Sequence, residues 1–303
     1  MTQMGTLRQS HAGGQSVRGF ERHRTMPIRL ALITVLAGCL NHGLPPDGHV
    51  EAVFPEAAPI KPLPKALHVV EFNVEMKRGD EIVDAFEHDP ALRTADVIIM
   101  EEIHRAYLGC SAACVLGKEL GYYEIYAPGA AAGNGDDGIA ILSRAPITSS
   151  QVIELPHYDV HINSARRIAL AATIEREGQP ITVYAVHLEN RITVRQRRAQ
   201  LLPVLEHAAK QKTPVIIAGD FNTSPFTWIA HLVPVLTGTQ DDRLEQLVRA
   251  HGFDTPVVDS GPTSRFFAMK LDAIYTRGFR TTDFATAEGS DVSDHLALWA
   301  NIQ

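Results

Sequence analysis

The stretch Thr213-Pro-Val-Ile-Ile-Ala-Gly-Asp-Phe-Asn222 decides the fold, because a run of branched apolar residues ends abruptly at a polar junction. Consecutive β-formers bounded by Pro214 and Gly219 predict a strand that is buried on both faces. Residues two apart on an extended backbone point the same way, so we expect Asp220 and Asn222 to share one face. Such a pair can orient a water, a metal-bound oxygen or a phosphate oxygen. A plain turn is the alternative, because Gly, Asp and Asn are also turn formers.

The composition is that of an ordinary soluble globular protein. The chain has 303 residues, of which 45% are hydrophobic and 21% charged, enough for one large or two small cores. No linker-like stretch, repeat or low-complexity tract follows Lys65, so we expect a single domain over residues 65–303. A product that starts at Cys39 would carry 23 basic and 34 acidic residues, a net charge of −11. This charge disfavours tight nonspecific binding to polyanions, although it leaves room for a local basic groove.

The amino-terminal residues 1–38 are predicted to be a signal segment, with Met26 as an alternative start. The apolar run Leu30–Ala37 is too short to span a bilayer and has the length of a signal-peptide core. Leu36-Ala-Gly-Cys39 resembles the bacterial lipobox, in which cleavage before the cysteine leaves it acylated; a fortuitous cysteine is the alternative. Residues 39–64 are interpreted as a Pro-rich tether without a helical or strand period. We therefore expect an exported protein, anchored in the bacterial cell envelope through acylated Cys39 or else secreted, with no obligate protein partner evident.

Export would place the other two cysteines, Cys110 and Cys114, in an oxidising compartment where they could pair with each other. A four-residue spacing is awkward inside a regular helix, so a bridge requires a loop or a helix end. Two free, buried cysteines are an equally open interpretation.

Further apolar runs indicate a protein with more strands than helices. Strands that pair locally favour mixed sheets in an α/β or α+β sandwich over a doubly wound parallel sheet. Strands are predicted at Leu67–Val74, Asp96–Glu102, Gly138–Ser143, Ala169–Ile174, Ile181–Val186, Leu271–Tyr275 and Leu296–Ile302. Helices are predicted at Ser111–Leu120, at Asp241–His251 and at Thr193–Lys210, the last kinked or interrupted at Pro203.

Polar side chains cluster at the ends of these apolar runs, where the loops of one sheet edge could gather them. Carboxylates surrounded by Asn and His form a site for a hard cation, Mg²⁺ or Mn²⁺, together with phosphate. Because Glu101 and Glu102 point to opposite faces of a regular strand, one of them is expected to lie in solvent or at the sheet edge. The candidates are Asn73, Glu102, His187, Asp220, Asn222, Asp272, Asp294 and His295.

The order of these motifs resembles that of the endonuclease/exonuclease/phosphatase superfamily, the DNase I-like phosphodiesterases. The motifs that carry the resemblance are Phe72-Asn73-Val74-Glu75, Asp96-Val-Ile-Ile-Met-Glu-Glu102, Gly138-Ile-Ala-Ile-Leu-Ser-Arg-Ala-Pro-Ile147, Val186-His-Leu188, Gly219-Asp-Phe-Asn222, Leu271-Asp272 and Ser293-Asp-His295. The resemblance implies a four-layer α/β/β/α sandwich of two packed mixed β-sheets flanked by helices. It also implies metal-dependent hydrolysis of phosphate esters by in-line attack of water.

The resemblance further implies a role for each candidate. Glu102 would bind the metal, with Asp294 in support and Glu75 as a second contact. Asn73 and Asn222 would position phosphate and water, and His187 would contact a phosphate oxygen. Asp220 would orient or deprotonate the attacking water, and His295, held by Asp272, would face the developing negative charge. Phe72 and Glu101 depart from the family pattern, which usually has Trp and Gln at these positions.

The substrate stays open between a nucleic acid, a lipid head group and a small phosphate ester. Arg265, followed by Phe266 and Phe267, is a candidate substrate-binding residue; two core Phe and a surface Arg are the alternative. Arg166 and Arg167, which precede a strand, are further candidates that could reach a substrate phosphate, with a solvated hairpin edge as the alternative. A phosphodiesterase or nuclease leads over a sphingomyelinase, phospholipase C-like or inositol-phosphatase-like activity. A surface-tethered binding lipoprotein on the same fold is the non-enzymatic alternative.

Overall fold

A computed structural model describes residues 50–53, 62–158, 165–176, 179–224 and 235–303. The predicted signal segment 1–38, the predicted lipidation site Cys39 and most of the predicted tether lie outside the described residues. Within the tether, Glu51–Val53 forms a strand that pairs with Tyr126–Glu124, contrary to the expectation that residues 39–64 contain no strand.

The larger sheet has seven strands in the order β1-β4-β5-β3-β2-β12-β11. Its one parallel pair is β2 with β3, and the other pairs are antiparallel. The strands are β1 (Glu51–Val53), β2 (Leu67–Asn73), β3 (Val97–Ala106), β4 (Tyr123–Ala132), β5 (Gly135–Ser143), β11 (Thr281–Ala287) and β12 (Ala297–Ile302).

The smaller sheet has five strands in the order β10-β9-β8-β7-β6. Strands β8 and β9 are parallel, and β7 and β8 form the predicted antiparallel hairpin. The strands are β6 (Ile147–Glu154), β7 (Ile168–Ile174), β8 (Ile181–His187), β9 (Val215–Asp220) and β10 (Asp272–Arg277). Both sheets are therefore mixed, as predicted.

Helices cover the outer faces of the two packed sheets. On the larger sheet, Ile82, Phe86 and Leu116 pack against strand residues such as Phe72 and Met100. On the smaller sheet, a stripe of helical residues, Leu201, Val204, Leu205, Leu244 and Val248, joins the core shared by the two sheets. The helices are α1 (Gly79–His88), α2 (Pro90–Arg93), α3 (Ala112–Leu120), α4 (Val194–Ala209) and α5 (Thr237–Ala250). This arrangement confirms the α/β/β/α sandwich.

Helix α4 runs without interruption through Pro203, so the expected break is wrong. Its start is well defined, because the Thr193 hydroxyl accepts from the Gln196 amide while the Gln196 side chain accepts from the Thr193 amide. Such a capping box satisfies amides at the first turn that have no partner within the helix.

Cys110 and Cys114 form a disulfide at the start of α3, with a Cα–Cα distance of 5.7 Å. Ser111, between the two cysteines, is the N-cap, and its hydroxyl accepts from the Cys114 amide. Cys110 thus lies before the helix and Cys114 in its first turn. The bridge occupies the helix end that the four-residue spacing requires.

Candidate active site

Asp220 and Asn222 meet through a turn rather than through strand alternation. Strand β9 ends at Asp220, and Asn222 has a left-handed backbone with φ of 53°. The turn lets the Asn222 side-chain amide donate to Asp220 Oδ2 at 3.1 Å, while its backbone amide donates to Asp220 Oδ1 at 2.8 Å. The expectation of a shared strand face is therefore wrong, although the two side chains do lie together.

Glu102 reaches the site because strand β3 is irregular. The register with β5 shifts between Met100 and Ile103, and Glu102 has φ of 52°. Asn73, at the end of β2, donates to Glu102 Oε1 at 3.2 Å and to Asp220 Oδ2 at 3.1 Å. One amide thus connects the carboxylates of the two sheets.

Glu101 is not surface decoration, which corrects the expectation for the Glu101–Glu102 pair. It is fully buried between the sheets and interacts with the equally buried Glu71. Burial, followed by the charge of Asp272, raises the pKa of Glu71 well above its usual value, and burial does the same for Glu101. The bulge in β3 sends Glu101 into the sandwich and leaves Glu102 at its edge.

His295 is held by Asp272, as the resemblance implies. Its Nδ1 lies 2.9 Å from Asp272 Oδ2, and its Nε2 lies 4.0 Å from Asp220 Oδ2. Burial is the largest single influence on the pKa of His295 and lowers it, but the charge and hydrogen bond of Asp272, together with the charges of Asp220 and Asp294, raise the pKa well above its usual value. His295 is therefore a cation whose Nε2 faces the Asp220 carboxylate.

His187 has the opposite electrostatic surroundings. Burial and the neighbouring Arg167 guanidinium lower the pKa of His187 well below its usual value. Its Nε2 lies 3.6 Å from Asp220 Oδ2 and 3.9 Å from Glu102 Oε1. The site thus pairs a charged histidine with a neutral one.

Asp220 lies between these histidines at the end of β9. Burial, followed by the Asp272 charge, raises the pKa of Asp220 to about 7. A carboxylate with this pKa can exchange a proton near neutral pH.

The donor set fits a hard divalent cation at Glu102. Ligand atoms of Glu102, His187 and Asp220 lie within 4.8 Å of one another, as do those of Asp220, Asp272 and His295. The second group is an internal ion pair, whereas the Glu102 side chain is 30% exposed and open to the site. Carboxylate oxygens of this kind suit Mg²⁺ or Mn²⁺.

The other two predicted metal contacts lie nearer the surface. Glu75 forms an ion pair with Lys77 at 3.2 Å and accepts from the Asp294 amide at 3.3 Å. The carboxylate of Asp294 lies 3.9 Å from His295 Nε2. Both side chains are 43% exposed, so they border the site.

The structure places the two predicted substrate-binding arginines in internal contacts. Arg166 pairs with Glu154 and donates to the Pro128 carbonyl at 2.9 Å. Arg265 donates its Nε to the Ser293 carbonyl at 2.8 Å, and its amide donates to the Asp294 carbonyl at 2.9 Å. Phe266 and Phe267 are 74% and 55% exposed, so they are not the core residues that the alternative assumed. The Arg265 loop therefore presents two aromatic rings beside the His295 segment.

Several supporting residues were not among the predicted site residues. The Thr263 hydroxyl accepts from the Asp272 amide at 3.2 Å. The Ser293 hydroxyl donates to the Asn73 carbonyl at 2.7 Å and accepts from the His295 amide at 3.1 Å. Burial, followed by the Glu102 charge, raises the pKa of Asp137 to about 8. Ser293 belongs to the motif that ends at His295, whereas Thr263 and Asp137 are brought to the site only by the folded chain; the sequence singled out Arg167 for substrate phosphate and not for its contact with His187.

Comparison with known proteins identifies sequence and structural relatives. The sequence model of the Endonuclease/Exonuclease/phosphatase family matches residues 70–295. No curated protein matches the chain. Among the described residues, no helix has both the length and the apolar character needed to cross a membrane.

Three solved structures share the fold. An endonuclease/exonuclease/phosphatase from Beutenbergia cavernae DSM 12333 is 20% identical, with a TM-score of 0.63 over 78% of this chain and 71% of that one. An endonuclease/exonuclease/phosphatase family protein from Leptotrichia buccalis C-1013-b is 17% identical, with a TM-score of 0.60 over 78% of this chain and 99% of that one. TDP2 from D. rerio, in complex with a single-stranded DNA product, is 17% identical, with a TM-score of 0.58 over 79% and 100%.

Proposed function

Because the chain belongs to the endonuclease/exonuclease/phosphatase family, whose members hydrolyse phosphoric esters, we propose that it is a metal-dependent phosphodiesterase. The observation that carries the proposal is the opposition of Asp220 to the His295–Asp272 ion pair across about 4 Å. A base and a cation side by side at this distance can both reach one phosphate group and the water that attacks it.

Each residue has a distinct task in this reaction. Asp220 orients a water and accepts its proton as the water oxygen attacks phosphorus, and the ester oxygen leaves with its bonding electrons. His295 remains protonated beside Asp272 and stabilises the negative charge on the phosphoryl oxygens. Asn73 and Asn222 hold the Asp220 carboxylate by hydrogen bonds at 3.1 Å. Glu102, with Asp294 and Glu75 nearby, would hold a divalent cation, Mg²⁺ or Mn²⁺, which would supply charge neutralisation at phosphate.

Ion pairing around the site favours a small or lipid ester over a polynucleotide. These described basic side chains of the surrounding loops form ion pairs: Lys77 with Glu75, Arg78 with Asp80, Arg105 with Asp136, Arg166 with Glu154, Arg167 and Arg191 with Glu189, and Lys270 with Asp241. Arg265 instead donates to the neutral Ser293 carbonyl. The neighbouring sequences 159–164 and 225–234 contain no Lys or Arg. Nucleic-acid affinity depends on Lys and Arg that neutralise successive phosphates. We therefore place the substrate among esters that carry one phosphodiester group.

Hydrolysis assays on the purified full chain test the function. Bis-p-nitrophenyl phosphate, sphingomyelin and plasmid DNA would be offered with Mg²⁺ and with EDTA. We expect Mg²⁺-dependent cleavage that is lost in His295→Ala and kept in His88→Ala, which changes an exposed histidine of α1. Silence on every ester would contradict the proposal and favour the tethered binding lipoprotein.

Location at the cell envelope is part of the proposal and rests on Leu36-Ala-Gly-Cys39. Two acyl chains at about 0.8 kcal/mol per buried methylene would hold the protein stably on a membrane surface. Inhibition of the lipoprotein signal peptidase by globomycin should make a larger precursor accumulate. An unchanged size would remove the lipid anchor from the proposal.

A further inference from the structure

Arg167 is a buried arginine that connects the active-site His187 to Glu189. Arg167 immediately precedes β7, which pairs with β8. His187 ends β8, and Glu189 lies just beyond that end. Its Nη1 lies 3.1 Å from His187 Nδ1, and its Nε lies 3.3 Å from Glu189 Oε2. Arg167 therefore contacts the His187 ring at Nδ1, whereas the ring's Nε2 faces Asp220 and Glu102.

The contact with Arg167 determines which nitrogen of His187 carries hydrogen. A guanidinium has five N–H donors and no acceptor, so Nδ1 can take part in this hydrogen bond only through its lone pair. A neutral imidazole that accepts at Nδ1 carries its hydrogen on Nε2. His187 Nε2 faces only acceptors at its near neighbours, Asp220 Oδ2 and Glu102 Oε1, which suits an N–H at that position.

We propose that Arg167 is a positioning residue that fixes His187 as the Nε2–H tautomer, so that His187 donates to a phosphate oxygen and does not ligate the metal. The donation from His187 to a phosphate oxygen rests on the proposed function. Metal-ligating histidines usually donate their second N–H to a carboxylate or carbonyl, which leaves the first nitrogen free for the metal. Arg167 imposes the reverse arrangement. Of the group Glu102, His187 and Asp220, Glu102 then remains as the metal ligand and Asp220 as the base.

Glu189 keeps Arg167 in this position. The Glu189 side chain is 3% exposed and also receives the Arg191 amide at 3.3 Å. Its backbone is held in turn, because its amide donates to Gln200 Oε1 at 3.0 Å and its carbonyl accepts from Arg197 Nε at 3.1 Å. Gln200 and Arg197 belong to α4, so the orientation of His187 depends on a helix outside the site.

The ring nitrogens of His187 provide a direct test. Long-range ¹H–¹⁵N correlation spectra of the full chain would be recorded without metal or substrate, and the His187 signals identified from their loss in His187→Gln. We expect a protonated Nε2 and an unprotonated Nδ1 in the wild type. Arg167→Met should remove this preference and Arg167→Lys should restore part of it. Arg144→Met, which removes an arginine bound to the Leu120 carbonyl at the other end of the sheet, should leave it unchanged.

Metal affinity tests the second half of the proposal. Mn²⁺ binding to the full chain, followed by titration calorimetry, should be nearly the same in His187→Gln as in the wild type and should fall in Glu102→Gln. Loss of tenfold or more in His187→Gln would mean that His187 is a ligand and would overturn the proposal. A wild-type spectrum with hydrogen on Nδ1 would overturn it as well, even if Arg167→Met failed to fold.

Activity separates this inference from the proposed function. Removal of a residue that orients an active-site group typically costs about 10–100-fold, so kcat/KM on the best ester should fall by that factor in Arg167→Met and recover in part in Arg167→Lys. Unaltered kcat/KM in a folded Arg167→Met would contradict the positioning role. If the wild type cleaves no ester while its tautomer is the expected one, the proposed function fails and the tautomer assignment stands.

Discussion

Single residues determine the chemistry of this site through the charge of their neighbours. Burial lowers the pKa of both histidines, but carboxylates led by Asp272 raise the pKa of His295 well above its usual value, whereas Arg167 lowers that of His187 further. Two histidines close to Asp220, one on either side of it, therefore favour different protonation states. Neighbouring charges and burial are the general causes of such divergence.

Replacement of Asp272 by Asn should shift the alkaline limit of activity. The Asp272 charge holds the pKa of His295 well above its usual value, so its removal lets His295 deprotonate at lower pH. We expect kcat to fall by about 10²–10⁴ and the alkaline limb of the kcat/KM profile to move to lower pH. A pH-rate profile measures both. An alkaline limb at the wild-type position would show that His295 does not need its charge.

The acidic limb of the same profile should report Asp220. Asp220 accepts a proton only as a carboxylate, and its pKa is raised to about 7, so kcat/KM should rise with pH toward that value and then level. The Glu102 charge contributes to this raised pKa, and a cation at Glu102 would offset it. The limb should therefore move to lower pH as Mg²⁺ is increased. If the pH of the acidic limb does not change with the Mg²⁺ concentration, the metal lies away from Asp220.

The Glu71–Glu101 pair should make folding stability fall as pH rises. Burial raises the pKa of both carboxyls in the folded state above the usual unfolded value, about 4.3. The two carboxyls make their full contribution to the free energy of unfolding below the unfolded pKa. That contribution is lost as pH rises through the folded pKa. Glu101→Gln should reduce this slope by up to about 1.4 kcal/mol per pH unit. Urea unfolding at several pH values measures the slope, and Glu87→Gln, on the exposed side of α1, should not change it.

At the scale of secondary structure, strand β9 positions the site because it approaches β8 closely. Gly219 has φ of 148°, and a Cβ built there would lie 1.9 Å from the Val186 carbonyl oxygen. No other residue type can occupy this point without moving the parallel pair that carries Asp220 and His187.

Gly219→Ala should therefore destabilise the fold by about 3 kcal/mol or more, through backbone strain and overpacking together. Chemical denaturation measures the loss. The control is Gly238→Ala in α5, where a Cβ meets nothing within 4 Å; that change should stabilise the helix by about 1 kcal/mol. Equal effects of the two substitutions would contradict the close approach of β9 to β8.

At the scale of the whole molecule, net charge and internal ion pairing limit the positive charge that the surface around the site offers to phosphates. Apart from Arg265, the basic side chains named above for the described loops there pair with acidic partners within the fold. In the proposed reaction, a single phosphate would be bound by His187, His295 and a cation at Glu102, but an extended polyanion needs further cations along its length.

Salt dependence should separate these two kinds of substrate. A protein with six to ten phosphate contacts loses about 10³–10⁵ in affinity between about 50 and 200 mM salt. We expect weak binding to plasmid DNA and a kcat/KM on a small diester that changes far less over the same range. Tight DNA binding with a steep salt slope would show that the substrate is a polynucleotide.

The sequence alone predicted the architecture and the motif residues that lie together at the sheet edge. Apolar runs such as Val215–Ala218 encode buried strands locally, and the ordered motifs from Phe72 to His295 predicted a sandwich that the structure confirms. The starts of α3 and α4 were also predicted, because the capping residues Ser111 and Thr193 act within one turn of themselves. Helix α5 begins at Thr237, before the predicted Asp241, and α1 and α2 were not predicted.

Only the tertiary structure decided how these residues face one another. The bulge that sends Glu101 inward and the left-handed turn at Asn222 depend on pairing between distant strands. The exposure of Phe266 and the contact of Arg167 with His187 depend on which loops meet at the sheet edge. Strand patterns are local properties of a sequence, whereas bulges, loop contacts and the charge around a buried ring arise from residues far apart in the chain.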